Sequence, residues 1–444
     1  MNVAVMKTKA EQGLTELYDK AAATLPGSDA VRAVRTAAIG KFASLGLPHR
    51  RIEEWKYTDL RAALKDTLPL AGRDTNAVTA ADVIVALGPL AQVEAHRITF
   101  VNGSYRADLS DGAKIAGLDV TTLAVALASS SDAAHALATP TGPDNDATIA
   151  LNTALMTDGA VVRIAPNAKI DKPLLIAFIR AGSTAELTTV RNVIAAGEGS
   201  TATVLEAHVT VPGAVLDGQL NALTEVTVGD RAALTHIKIA VDDNKTVHLA
   251  NWNVAIGADA SYRGFQFTSG QALTRNQIHA VYRGEGGKFD LSGAFLVRGT
   301  SHVDTTLVVD HAVPHCESRE LFKGVLDDAG RGVFQGKIIV RPDAQKTDGK
   351  QMAQALMLSA NCEFDSKPEL EIYADDVVCG HGTTSAQLDD DLLFYCMSRG
   401  IPRDEARALL IDSFIGEAID KVENESVRQV LTDYATAWLR SAKA

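Results

Sequence analysis

RNVIAAGEGSTATVLEAHV, residues 191–209, is followed by TEVTVGDRAALTHIKIAV (224–241), NVAIGADASYRGFQF (253–267) and HAVYRGEGGKFDLSGAFLV (279–297). Each stretch is a β-rich run, a turn and a second β-rich run. Aligned on the turn glycines Gly199, Gly229, Gly257 and Gly287, the units recur at intervals of 30, 28 and 30 residues. Three residues after that glycine stand Ala202, Ala232 and Ala260, and Asp290 in the fourth unit. A unit this short cannot bury its apolar face alone. Stacked units share one core, which predicts a parallel β-helix. Within a unit, Ile237, Ile239 and Val241 point one way and His236 and Lys238 the other. An antiparallel sandwich is the competing reading, because its strands also recur between turns.

The flanks read differently. Leu14, Leu17, Tyr18 and Ala21 share a helical face, and Ser28 and Asp29 precede a second helix striped by Val31, Val34, Ala38, Phe42 and Leu45. Residues 98–101 followed by Asn102-Gly103 predict a strand and a tight turn. Residues 111–157 read as weak helix and loop, and 343–360 as a loop with at least one helical turn. The C-terminus is helical again. Gly400 ends one helix, and Pro402 takes the first position of the next. Ala406, Leu410, Phe414 and Ala418 form one stripe, with Ile411, Ile415 and Ile419 beside it. Val427, Leu431, Tyr434 and Trp438 mark a last helix. This broad apolar face either caps the solenoid or docks a partner. The expected regions are 1–95 (helical), 96–385 (β-helix, with an insertion at about 111–157) and 386–444 (helical).

Composition narrows the function. With 43 Lys and Arg against 55 Asp and Glu, the net charge is −12 and no basic stripe suits nucleic acid. No run is long enough to span a membrane, and MNVAVMKTKAEQ lacks a leader's apolar core. The four cysteines, Cys316, Cys362, Cys379 and Cys396, all lie late and form no disulfide framework. The expectation is a reduced, cytoplasmic protein.

Few residues offer chemistry. In VVCGHGTT (377–384), Cys379 and His381 point to one face of an extended strand. Thiolate and imidazole are good ligands for iron, zinc or iron–sulfur clusters, but two ligands are half a site. In VDHAVPHCES (309–318), His311, His315 and Cys316 crowd together. Pro314 argues against a helix and no C-x-x-C pair completes a zinc site. Cys362 and Cys396 read as packing residues. No Gly-Lys pair fits a Walker A loop, and no G-x-S-x-G elbow is present. The acidic pairs Asp327-Asp328 and Asp375-Asp376 read as turn or surface residues.

Longer motifs carry a resemblance: HCESRELFKGVLDDAGRGVFQGKIIVRPDAQKTDGKQMAQALML (315–358), KPELEIYADDVVCGHGTT (367–384), LFYCMSRGIP (393–402), GLPHRRIEEWKYTDL (46–60) and ALNTALMTDGAVVRIAPNAKIDKPLLI (150–176). Together they resemble the SufB/SufD family of the SUF iron–sulfur assembly machinery, on its SufD side. The resemblance implies a right-handed parallel β-helix with helical ends. It implies pairing with SufB through the β-helices, with a homodimer as the form alone. It also implies a SufC ATPase on the C-terminal helices, for which Phe394, Tyr395, Arg399 and Phe414 are the contact candidates. A transient iron–sulfur cluster shared with SufB would use His381 and Cys379, and the family's complexes are linked to reduced flavin. The chain would be a non-catalytic scaffold that aids iron acquisition. SufB accepts sulfur on cysteines, one of them inside its β-helix, whereas this chain has no Cys before Cys316. Cys396 stands where leucine is common in SufD and is read as packing. Two readings from other classes remain: an inert structural partner, and a β-helix carbohydrate-active enzyme with carboxylates along one face.

Overall fold

The structure is a computed structural model describing residues 7–72, 77–112, 115–129, 132–214, 217–241 and 245–441. Of MNVAVMKTKAEQ, the stretch read for a leader, residues 1–6 lie outside the described residues. No helix among the described residues is long and apolar enough to cross a membrane.

From Ala160–Ile164 onward the chain alternates between two facing sheets of ten and nine strands, so sequential strands lie in different sheets and next-but-one strands pair. Pairing is parallel, from Leu174–Arg180 through to Val378–Ala386 in the first sheet. Among the described strands, antiparallel pairs are confined to the N-terminal end: a hairpin of His96–Val101 with Ser104–Tyr105, and Leu118–Thr122 against Ala160–Ile164. This is a parallel β-solenoid of about eight turns. In the first hairpin, Asn102 and Gly103 both take left-handed φ, +47° and +76°, as a type I′ turn requires.

The period is real, but its register differs from the glycine alignment. Gly229 N donates to Ala196 O and Gly257 N to Val228 O, the bonds that Gly197 and Arg283 make in their own turns. Gly197, and not Gly199, is therefore the rung partner of Gly229. Gly199 belongs two columns later, with Arg231, Asp259, Gly286, His315 and Lys346, all at φ between +52° and +72°. That corner turns left-handed in each of these rungs, a backbone that glycine, Asn and Asp tolerate best. The next column holds the buried small residues: Ser200, Ala232, Ala260, Gly287, Cys316 and Thr347. Ala202 instead pairs with Leu234, and through it with Tyr262 and Phe289. The columns advance by 32, 28, 27, 29 and 31 residues. Unequal turns hid the offset.

Alternation holds, with an unexpected inside. Ile237 and Ile239 face outward into an apolar layer shared with Ile411, Ile415, Val427 and Leu431 of the C-terminal helices. His236 and Lys238 face the space between the sheets, fully buried. There Glu206 accepts from His208 at 2.6 Å and from Thr224 at 2.9 Å, and Lys238 donates to Asn276 at 2.9 Å. These buried charges are therefore paired or hydrogen-bonded, as burial demands.

The outer face of the second sheet is covered by N-terminal helices. Lys9–Ala21 opens with a Thr8/Glu11 capping box, and Asp29–Leu45 packs on the fully buried helix Ala147–Leu155. Trp55 lies under the Arg275 guanidinium at 4.4 Å. Arg275 is paired with buried Asp304, which also accepts from Thr58.

Three local expectations are corrected. Residues 343–360 hold the strand Asp348–Met357, not a helical turn; ladder bonds on both sides override the helix propensity of QMAQALM. The 111–157 stretch contains a strand, Leu118–Thr122, before its helices. Pro402 is the N-cap of Arg403–Ile419 and not its first residue. Gly400 does close the helix Asp390–Ser398, at φ +85°.

Candidate functional site at the open rung

A solenoid's last rung has ladder partners on one side only. Here those strands are Glu363–Ile372 and Val378–Ala386, whose free edges end the two sheets. Neither strand contains a fully buried residue. Beside them, Tyr373 and Val378 are 61% and 60% exposed. An uncovered edge with apolar neighbours is a ready template for another chain.

Cys379 and His381 lie on this rung. They share the inward face because one residue, Gly380, separates them. Cys379 is half-buried against Ile338, Val340, Ala344 and Ala374. His381 is exposed. Burial pushes the Cys379 thiol above its ordinary range, and the nearby Asp348 and Glu320 carboxyls add to this. The thiol therefore stays protonated near neutral pH until a cation draws off the proton.

Ladder register stacks His381 over Gln351 and then Glu320, and Cys379 over Gly349 and then Ser318. Glu320 is 3% exposed, and neither carboxyl oxygen has a hydrogen-bond partner of normal geometry. Burial pushes its carboxyl up to about 8, against the opposing pull of Ser318 and Arg319. Sequence reasoning missed Glu320, since only the rung register brings it behind His381. Among the described residues no three His, Cys, Asp or Glu side chains converge as a metal site.

The other candidates separate from this rung. His311 is buried and bonded to Ser318 at 3.1 Å, and burial lowers its pKa to about 4. His315 is a left-handed corner residue. Cys316 fills the small-residue column, where burial pushes its thiol up to about 11. Cys362 is buried, with its thiol on Ser359 O at 3.1 Å. Asp328 sits in a turn at φ +53°.

The helix Asp390–Ser398 buries only Leu393. Phe394 is 72% exposed, and Tyr395 and Arg399 stack beside it with the guanidinium 4.6 Å from the ring. Phe414 lies elsewhere. It is half-buried on the solenoid, with the Lys323 ammonium 4.4 Å from its ring. Phe414 therefore anchors its own helix, while the free aromatic face is that of Phe394 and Tyr395.

Comparison with known proteins converges on one family. Residues 178–414 match the SufBD core domain of the SUF system for FeS cluster assembly, and residues 8–176 match the SufBD N-terminal region. A SufBD family iron–sulfur cluster assembly protein of Synechocystis is 30% identical over 439 residues, covering 96% of this chain and 94% of the relative. Iron–sulfur cluster assembly protein SufD of Escherichia coli is 30% identical over 394 residues, 86% and 87% of the two chains. The Bacillus subtilis SufD is 26% identical over 285 residues, 64% of each.

Proposed function

Because the chain belongs to the SufBD family of iron–sulfur cluster assembly proteins and is a SufD homologue, we propose that it is a non-catalytic scaffold whose open rung completes a cluster site with a SufB partner. The observation that carries this is an exposed imidazole, His381, beside a half-buried thiol, Cys379, on an uncovered sheet edge. Two ligands from this chain leave a tetrahedral iron or cluster site half filled. The partner's edge strand would bring the rest. In this reading the chain helps acquire iron and holds the cluster transiently. A SufC ATPase binds the C-terminal helices and drives opening of the interface. Reduced flavin would belong to the assembled complex; no residue of this chain is assigned to it.

The test is anaerobic co-expression with SufB and SufC. A His381→Ala variant should assemble at wild-type stoichiometry yet carry at least tenfold less iron and sulfide. Normal loading of that variant would leave only the inert structural partner. SufC docking has its own test. Phe394→Asp should cut SufC co-purification at least tenfold without moving the melting temperature, because the side chain is largely exposed. Undiminished SufC recovery would turn the helix into a simple cap.

A further inference from the structure

The sheet that carries Cys379 and His381 inward has a charged outer face. Asp290, Arg319, Lys350 and Gly380 form one outward column in register. With Met352, with Lys421 just past the helix Arg403–Ile419, and with Cys379, His381 and the buried Glu320 of the same open end, they line a groove of about 590 Å³. A side chain added at Gly380 would meet nothing within 4 Å, so the groove is open at the rung's backbone. This volume is of the size that holds a small organic ligand.

Three cations, Arg319, Lys350 and Lys421, line it against the carboxyls of Asp290 and the buried Glu320, in a protein of net charge −12. Asp348 is shared by two cations, Arg319 at 2.6 Å and Lys350 at 3.4 Å. Burial favours the neutral form of Asp290. Lys421 and Lys350 are exposed. A bare divalent cation entering here meets like charge; a multivalent anion is drawn in. Charges spread over three side chains suit several carboxylates on one small molecule better than a single compact anion.

We propose that this groove binds a small polycarboxylate, and that iron(II) reaches His381 as the anionic chelate of that ligand. This rests on the reading of His381 as an iron ligand. The transfer is a ligand exchange. An iron–oxygen bond to one carboxylate breaks, and a ring-nitrogen lone pair of His381 forms an iron–nitrogen bond. The freed carboxylate keeps its charge, held by Lys350 and Lys421, and no electron changes hands.

Citrate is the probe, titrated calorimetrically into the full chain at low salt. Binding should weaken at least tenfold in Lys350→Glu/Lys421→Glu. It should also weaken measurably in Lys421→Glu alone, whose exposed side chain leaves the fold untouched. No citrate binding, unchanged affinity in both variants, or equal binding of inorganic phosphate would each overturn the proposal. His381→Ala separates the two readings. Its citrate affinity, set by Lys350 and Lys421, should fall far less than in the double lysine variant, while it loses iron when iron(II) citrate is offered and the protein desalted. Iron retained by that variant would sink the ligand role of His381, and with it the delivery step.

Discussion

Asp304→Ala is expected to cost about 3–5 kcal/mol, the usual result of stripping one partner from a buried ion pair. Asp304 is fully buried and pairs with Arg275, itself 1% exposed. It accepts from Thr58 as well, and the Thr58 hydroxyl lies 3.0 Å from His302. Arg275 also donates to Glu54 O at 2.6 Å and sits over Trp55. The pair thus ties the 53–60 segment to the second sheet. Removing the carboxylate leaves an uncompensated guanidinium and frees that segment. Urea unfolding should show the loss, and limited proteolysis should cut first near residue 60. A joint Arg275→Met/Asp304→Leu replacement should recover most of the stability, since apolar isosteres of a buried pair are often neutral or better. A loss below 1 kcal/mol for Asp304→Ala would mean that this clamp does not hold the N-terminal layer.

Glu320→Gln should stabilise the protein, and only away from acid. The folded pKa is about 8 against an ordinary glutamate value of 4.5. Native Glu320 therefore favours its protonated form. The stability it allows is fully present below 4.5 and is lost as pH rises toward 8. Each pH unit in that window costs about 1.4 kcal/mol. The penalty reaches about 3 kcal/mol by pH 7. The glutamine variant carries no such charge, so its advantage should grow from pH 4.5 to 8 and then level off. Melting temperatures of both proteins across that range decide the matter. Parallel curves would show that Glu320 ionises without penalty, through water or a rearranged Ser318.

Much of the fold was legible locally. Side chains alternate along any strand, so the opposition of Ile237 and Ile239 to His236 and Lys238 needed no structure. Asn102-Gly103 named its turn by conformational freedom alone. Helical propensity misled at 351–357, where Met, Ala, Gln and Leu form a strand because both neighbours offer ladder bonds. The glycine alignment misled for a related reason. Turns of different length preserve an approximate period while shifting which residues stack.

At the site, Cys379 and His381 were readable as a same-face pair. Their exposure was not, and neither was the company of Glu320 and the cationic groove. Phe394 and Phe414 were both candidate partner contacts, yet Phe414 lies against the solenoid and Phe394 is exposed.

What the chain's own order determined is whatever acts between near neighbours: strand alternation, corner residues that accept left-handed backbone, and a pitch of roughly thirty. What the tertiary structure alone decided is which face is inside and what stands one rung away. Those contacts join residues about thirty positions apart through parallel ladder bonds. Their identity depends on every turn length in between, which no local pattern records.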